Sequence, residues 1–486
     1  MAGGWLKRLA GVRGGPAQAA LAAAALVLLL FILLALPFAP ERLRTAVQRE
    51  WERTQPPAGF PLTAVDSAAR LVASQVAARV YPGAALAAGV GDRIQVLRGV
   101  GRLEWEASSP SVSPESTRYD LASLSKAVAT TTAVLLLVQD GRIRLDEPVR
   151  RWLPEFYGRW KDRVTWRHLL THTSGLPPGG RMSGSQPGER LASLLRTRLD
   201  SPPGTEVQYS DVGYIVLWTA AQRVAGEPLP RLLRRRVWNP LNMSATGYLP
   251  GQACQECAPT LTLHDGRPFR GEPADPTARE LGGITGNAGL FSTAADLAHF
   301  AAMVASGGEL DGVRIFRPDI VQQLFTQQPR AGRRTLGWDA FCPAEPPRPQ
   351  VACRHPVAFG HYGWTGTSLW IDPRTRTWVV LLANRSYEVL KPKSMEAVRE
   401  GVFADLSGEP LPPAPVTPAL APAAPPRAVA ARATPRKAAH TSRLVAAAAH
   451  RHAGQLAAAR RRHRSLAVAA RGKRPGKHRS KVVARR

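Results

Sequence analysis

Ser123 and Lys126 lie in the segment Leu121-Ala122-Ser123-Leu124-Ser125-Lys126, and Ser123 is the only serine in the chain with a lysine three residues later. On a helix, positions i and i+3 share a face, so this spacing sets an amine beside a hydroxyl. A neutral amine there can take the hydroxyl proton while the oxygen attacks a carbonyl carbon. That role demands a pKa lowered by burial or by neighbouring cations. Arginine cannot fill it, because a guanidinium stays protonated. Residue usage sharpens the signal. Only nine of the 65 basic residues are Lys, and between Arg8 and Leu390 the only ones are Lys126 and Lys161. A helix start at Ser123 would also favour the negative charge that develops in acyl transfer. Taken alone, Ser-x-x-Lys equally describes a capped helix with a surface lysine.

Two further segments carry usable chemistry. Tyr209-Ser210-Asp211 follows Pro203-Gly204-Thr205, and a phenol held near Lys126 can relay a proton to a leaving group. The bland alternative is a loop tyrosine packed on its ring. Phe359-Gly360-His361-Tyr362-Gly363-Trp364-Thr365-Gly366 precedes a predicted strand. Its glycines let a substrate approach the main chain, whose N–H groups can supply half of an oxyanion hole. A Gly-rich turn leading into a strand would have the same composition.

Together the three segments resemble the three motifs of the penicillin-recognising serine hydrolases. This is the serine β-lactamase-like family of class C β-lactamases, D-alanyl-D-alanine carboxypeptidases and esterase relatives. Ser123-x-x-Lys126 is similar to the family's Ser-x-x-Lys. Tyr209-Ser210-Asp211 is similar to its Tyr-x-Asn, with Asp in the third place. His361-Tyr362-Gly363 stands at its Lys-Thr-Gly position in the His-x-Gly variant. Residues 168–176 (HLLTHTSGL) and 286–293 (GNAGLFST) are similar to further family segments. The resemblance spans residues 62–406 in order. It implies an α/β fold in which an antiparallel sheet is flanked by helices and carries a helical insertion. By the same resemblance Ser123 is the nucleophile, and Lys126 and Tyr209 move protons. The N–H groups of Ser123 and Trp364, the latter just after Gly363, would hold the oxyanion. Asp211 and His361 would line the substrate side, and no metal or cofactor is implied. Two departures matter. An ionised Asp211 only accepts hydrogen bonds, where the family's Asn also donates to a substrate amide. His361 is largely neutral near pH 7, where the family has a fixed positive charge for a substrate carboxylate. Both changes weaken the case for β-lactams and acyl-D-Ala-D-Ala peptides and leave room for esters.

These residues need elements to position them. Residues 62–80 have apolar positions at helical spacing, and residues 84–89 and 94–99 read as a hairpin about Gly91-Asp92. A long helix is expected over 123–140, ended by Gly141. Strands are expected at 367–371 and 378–383 around Asp372-Pro373-Arg374, then a helix within 388–406 that Pro392 delays. One antiparallel sheet built from both ends of the chain, with helices inserted between, accommodates this order.

The flanks differ in composition. Residues 19–36 are 18 uncharged, apolar residues after Lys7, Arg8 and Arg13, long enough to cross a bilayer core. The preceding positive charges place the rest of the chain outside the cytoplasm. Residues 1–40 are therefore expected to be a transmembrane anchor, or else a cleaved signal, and 41–61 a stalk. Residues 62–408 form the hydrolase domain. Residues 409–486 are Pro/Ala-rich, then basic, and cannot bury enough apolar surface to order. Residues 427–486 hold 18 Lys or Arg and no Asp or Glu, well over half of the formal charge of +29. Export makes nucleic acid a poor partner for that tail; anionic lipid or an envelope polymer fits better, and a solvated tail with no specific partner fits better still. The four cysteines suit two local disulfides in an oxidising compartment rather than zinc, since Cys342 and Cys353 lack ligand spacing. No Gly-x-Ser-x-Gly occurs. His168 and His172 have i, i+4 spacing, but Leu169 stands where a zinc protease needs Glu. The sequence therefore describes a membrane-anchored periplasmic serine hydrolase. It would act through an acyl-serine on an ester, a β-lactam or a D-amino-acid peptide such as a peptidoglycan fragment. The competing description is a catalytically silent envelope-binding protein that keeps the cleft and the basic tail.

Overall fold

The computed structural model describes residues 59–263, 266–342, 350–387 and 395–408. The expected anchor, stalk and basic tail lie outside the described residues, apart from the last few stalk positions. No helix among the described residues is long and apolar enough to cross a membrane.

The chain opens with helix α1 (Leu62–Ala77) and the hairpin β1 (Gly83–Val90) and β2 (Arg93–Gly101). It returns to the same sheet only near its end, with β3 (Asp339–Phe341), β4 (Ala358–Tyr362), β5 (Ser368–Asp372) and β6 (Thr377–Ala383). The sheet order is β3-β4-β5-β6-β1-β2, antiparallel throughout. The first strand thus pairs with the last, Leu86 opposite Leu381. The expectation of one sheet from both chain ends holds. The bland alternative for residues 359–366, a Gly-rich turn, holds only in part: residues 358–362 are strand β4, and the turn begins at Gly363. Gly360 masks the strand in sequence, but a Cβ there would meet the Leu369 carbonyl oxygen at 2.0 Å, so only Gly fits that ladder position.

Strand β1, GAALAAGV, is buried along its whole length. Such a run belongs to a sheet covered on both faces, and alternate residues sort accordingly. Ala84, Leu86 and Ala88, with Val379 and Leu381 of β6, face the core shared with α1 and the closing helix α5 (Glu396–Ser407). Ala85 and Ala87, with Val380 and Leu382, face the larger core that contains helix α4 (Ala294–Ala305). Between β2 and β3 lies the mostly helical insertion. It includes α2 (Thr132–Gln139), α3 (Asp211–Ala225) and α4, and it carries Ser123. Disulfides Cys254–Cys257 and Cys342–Cys353 close two short loops, as the cysteine count implies.

The helices α1 and α5 pack on each other over the outer face of the sheet. Gly401 permits their close approach, since a Cβ there would meet Leu71 Cδ2 at 2.5 Å. Gly401→Leu is expected to lower stability by about 1–3 kcal/mol, the range for overpacking. Leu71→Ala in the same protein should restore part of it. Chemical denaturation of the single and double variants measures both effects. Strict additivity would mean that the two side chains do not meet.

Candidate active site

The nucleophile position is built by a strained turn. Ala122 has φ 46°, a left-handed conformation that non-Gly residues rarely adopt. Asp120 holds it there: its carboxylate accepts the Ala122 N–H at 2.9 Å and the Ala274 N–H at 2.7 Å. Burial pushes the Asp120 carboxyl up to about 6 despite those two donors. After the turn, residues 126–131 are π-helical and pass into α2. Three consecutive β-branched residues with hydroxyls, Thr130, Thr131 and Thr132, lie at this passage. Thr130 Oγ1 donates to the Gly286 carbonyl at 2.7 Å. The expected α-helix from Ser123 is therefore corrected: the first turns are wider, a form that recurs at functional sites.

Lys126 is fully buried. Its Nζ donates to Ser123 Oγ at 3.0 Å and to the Asn287 carbonyl at 2.8 Å, and it forms an ion pair with Asp211 Oδ1 at 2.6 Å. It also lies 4.9 Å from the Tyr209 ring centre and 5.6 Å from that of Tyr214. Three oxygens at 3.0 Å or less match the three donors of an ammonium. Burial pulls the amine down, but the negative poles of Tyr209 and Asp211 outweigh it and hold the amine above its ordinary value. The expectation that the environment lowers this pKa is thus overturned. Tyr209 raises it most and Asp211, in the place of a neutral amide, raises it next.

Asp211 reaches Lys126 because it is the first residue of α3 and is free of capping duty. Ser210 caps that helix, its Oγ accepting the Gly213 N–H at 2.9 Å. Tyr209 lies just before the cap, its ring stacked on His172 at 4.3 Å between centroids. Opposite Ser123, the turn after β4 is laced to the nucleophile segment. Thr365 Oγ1 donates to the Asp120 carbonyl at 2.7 Å, and Thr367 Oγ1 donates to the Leu121 carbonyl at 2.9 Å. Gly363 is obligatory there, because a Cβ would meet Thr367 Oγ1 at 2.0 Å and the Leu121 oxygen at 2.3 Å. Arg399 of α5 ties the turn from behind through the Gly363 and Thr367 carbonyls. Among the described backbone hydrogen bonds, the N–H groups of Ser123 and Trp364 donate in none.

A cavity of about 430 Å³ opens here, lined in part by Ser123, Tyr209, Asp211, Asp275 and Trp364. His361 is not part of its lining. The imidazole is buried and pushed down to about 3, by desolvation first and then by Lys126 and Arg334. Its Nδ1 lies 2.7 Å from the Tyr362 carbonyl, which only accepts, so Nδ1 carries the proton. His361 is thus neutral, as expected, but instead of lining the substrate side it lies beside Tyr209, 6.2 Å between ring centroids. His168 and His172 do not form a metal pair: each uses Nδ1 to accept a backbone N–H, from Thr165 and Ser210 respectively. Two contributors went unassigned from sequence, the Asn287 carbonyl and Asp120. The GNAGLFST run at 286–293 was the available signal for the first. A second cavity, about 340 Å³, lies beside Trp218 and Leu281 and has no titratable residue in its lining.

A two-sided antiparallel sheet, with a helical insertion that sets Ser123 beside the buried Lys126, defines a β-lactamase/transpeptidase-like fold. The chain belongs to the beta-lactamase family, whose family model, described as Beta-lactamase, matches residues 68–401. Among curated proteins it is 28% identical over 309 residues to a putative D-alanyl-D-alanine carboxypeptidase of Escherichia coli K12, covering 57% of this chain and 71% of that protein. Among solved structures it is similar to the octameric penicillin-binding protein homologue from Pyrococcus abyssi (TM-score 0.57, 22% identity, 71% of this chain and 77% of that one). It is also similar to a class C beta lactamase from Rhodobacter sphaeroides (TM-score 0.55, 21% identity, 71% and 99%).

The ion pair makes a thermodynamic prediction. Asp211→Ala strands a buried ammonium and should cost about 1–3 kcal/mol. That is less than the 3–5 typical of fully enclosed pairs, because the Asp211 side chain is 32% exposed. Lys126→Met in the same background should recover most of the loss. A double-mutant cycle by urea denaturation reads the coupling, and a value near zero would show that the pair does not hold.

Proposed function

We propose that this protein is a serine hydrolase of the cell envelope that works through an acyl-Ser123 intermediate. The observation that supports it most is the Lys126 ammonium, buried with Ser123 Oγ as one of its three oxygen partners. Ser123 Oγ bonds to the acyl carbon and passes its proton to the Lys126 site. Lys126 gives one of its own protons to Tyr209 as the Tyr209 hydroxyl protonates the leaving atom. Lys126 receives the Ser123 proton as it gives up its own, so no surplus proton accumulates, and the Asp211 carboxylate offsets the ammonium charge. The N–H groups of Ser123 and Trp364 receive the developing oxyanion. A water molecule then attacks the acyl carbon, and the relay runs in reverse.

The polar lining argues for the substrate class. Among the described residues, Asp211 and Asp275 line the cavity and no Lys or Arg does, while His361 is neutral. A substrate carboxylate finds no side-chain cation among these groups. An acyl ester without a carboxylate near the scissile bond meets no such obstacle. Carboxypeptidase and β-lactamase action, the activities named for the relatives, are accordingly ranked below esterase action.

Ser123→Ala should abolish both turnover of a p-nitrophenyl ester and labelling by a fluorophosphonate, a loss of several orders of magnitude. Lys126→Arg should do nearly the same, because guanidinium cannot exchange protons at neutral pH. Wild-type protein should hydrolyse short-chain esters faster than a cephalosporin or an acyl-D-Ala-D-Ala peptide. An adduct on Ser123→Ala seen by intact mass would refute the nucleophile assignment.

We place the catalytic domain on the outer side of the inner membrane, held by the apolar segment 19–36, with the basic tail on anionic surfaces. Removing residues 410–486 should leave the rate on a soluble ester unchanged. It should also weaken cosedimentation with phosphatidylglycerol vesicles, mainly at low salt. A soluble-substrate rate that collapsed on truncation would instead make the tail part of the fold.

A further inference from the structure

His172 has no part in the proton relay proposed above, yet it is among the most constrained residues of the insertion. It is buried, and its φ of 57° is a left-handed conformation ordinarily left to Gly or Asn. That backbone geometry lets one residue make two hydrogen bonds to one neighbouring segment. The His172 carbonyl accepts the Gln208 N–H at 2.8 Å. Its Nδ1 accepts the Ser210 N–H at 3.0 Å. The two donors flank Tyr209. The imidazole plane then stacks on the Tyr209 ring, 4.3 Å between centroids at 29°, and leans against Tyr214 at 4.9 Å. Main chain and ring of Tyr209 are thus held by a single residue.

We propose that His172 is the positioning residue that aims the Tyr209 hydroxyl at the leaving atom. The proposal rests on the reading of Tyr209 as the proton donor to the leaving group. A backbone N–H only donates, so Nδ1 must keep its lone pair and the ring is neutral with its proton on Nε2. Burial first, then Arg334, Lys126 and His361, hold the imidazole well below its ordinary pKa, consistent with that tautomer. Among the described residues no other aromatic ring is as close to Tyr209: the His361 ring is 6.2 Å away, and the Arg334 guanidinium lies 5.4 Å from the Tyr209 ring centre. Loss of the acceptor frees the Ser210 end of the segment, and a phenol displaced by 1 Å transfers a proton poorly.

Leaving-group dependence separates this role from simple stabilisation. A p-nitrophenolate leaves without a proton, whereas an alkoxide must receive one. Two esters of the same acyl group, p-nitrophenyl and ethyl, are compared on wild type, Tyr209→Phe, His172→Phe and His172→Asn. Fluorophosphonate labelling of Ser123 counts the folded sites in each. His172→Phe keeps a ring but no acceptor, and should lower kcat/KM for the ethyl ester about ten- to a hundredfold more than for the p-nitrophenyl ester. Tyr209→Phe should separate the esters at least as far. His172→Asn keeps an oxygen acceptor near the Nδ1 place and tolerates the left-handed backbone. It should stay within about threefold of the wild-type ratio, since the acceptor bond is retained. Should His172→Phe fail to label, His172→Gly replaces it, because Gly accepts the backbone angle and removes the acceptor. If Tyr209→Phe separates the esters and the acceptor-free variant slows both equally, the proposal falls and the reading of Tyr209 stands. If Tyr209→Phe does not separate them, that reading fails and carries the proposal with it.

Discussion

A single ammonium group without water dictates the architecture around it. Moving such a charge out of solvent costs several kcal/mol unless partners surround it. Lys126 obtains them from separate parts of the insertion: Ser123 from the preceding turn, Asn287 from the loop before α4, and Asp211 from the start of α3. Two phenol rings, Tyr209 and Tyr214, complete the enclosure. None of these segments is free to drift without exposing or orphaning the charge. The positions of the reacting groups are therefore set by the same energetics that hold the insertion together.

The main chain does much of the remaining positioning. Asp120 fixes the strained Ala122 turn, and Thr365 and Thr367 bind the opposite loop to the same two carbonyls that lead into Ser123. Both walls of the cavity thereby share one rigid seam. His361 illustrates the same economy. Spent on the Tyr362 carbonyl and enclosed beside Arg334 and Lys126, it contributes shape rather than charge.

Much of this was legible from residue order. The hairpin at Gly91-Asp92, the strands about Asp372-Pro373-Arg374 and the Ser123–Lys126 pair follow from local rules of turn chemistry and spacing. Those rules act within a few residues, and the features that escaped them do not. The amine state of Lys126 depends on Tyr209 and Asp211, more than 80 positions away, and Asp211 reaches the amine because Ser210 takes the cap of α3. Strand β4 was hidden because Gly360, chosen for a tight approach to Leu369, reads as a turn residue when its neighbours are unknown. His172 looked at most like half of a metal pair, since its partners at 208 and 210 are set by the fold. The anchor and the tail belong to composition alone.

The pairing of β1 with β6 bears on how the protein is made. These strands are neighbours in space, but nearly the whole hydrolase domain separates them in sequence. At a synthesis rate of about 5–20 residues per second, the first hairpin waits roughly 15–60 s for the strand that covers its open edge. Until then β1 presents an alanine-rich, hydrogen-bond-hungry border to anything nearby. Folding of the sheet is thus confined to the last moments of chain emergence. A ribosome stalled anywhere within the insertion would hold a nascent chain that has its nucleophile but no second wall for it.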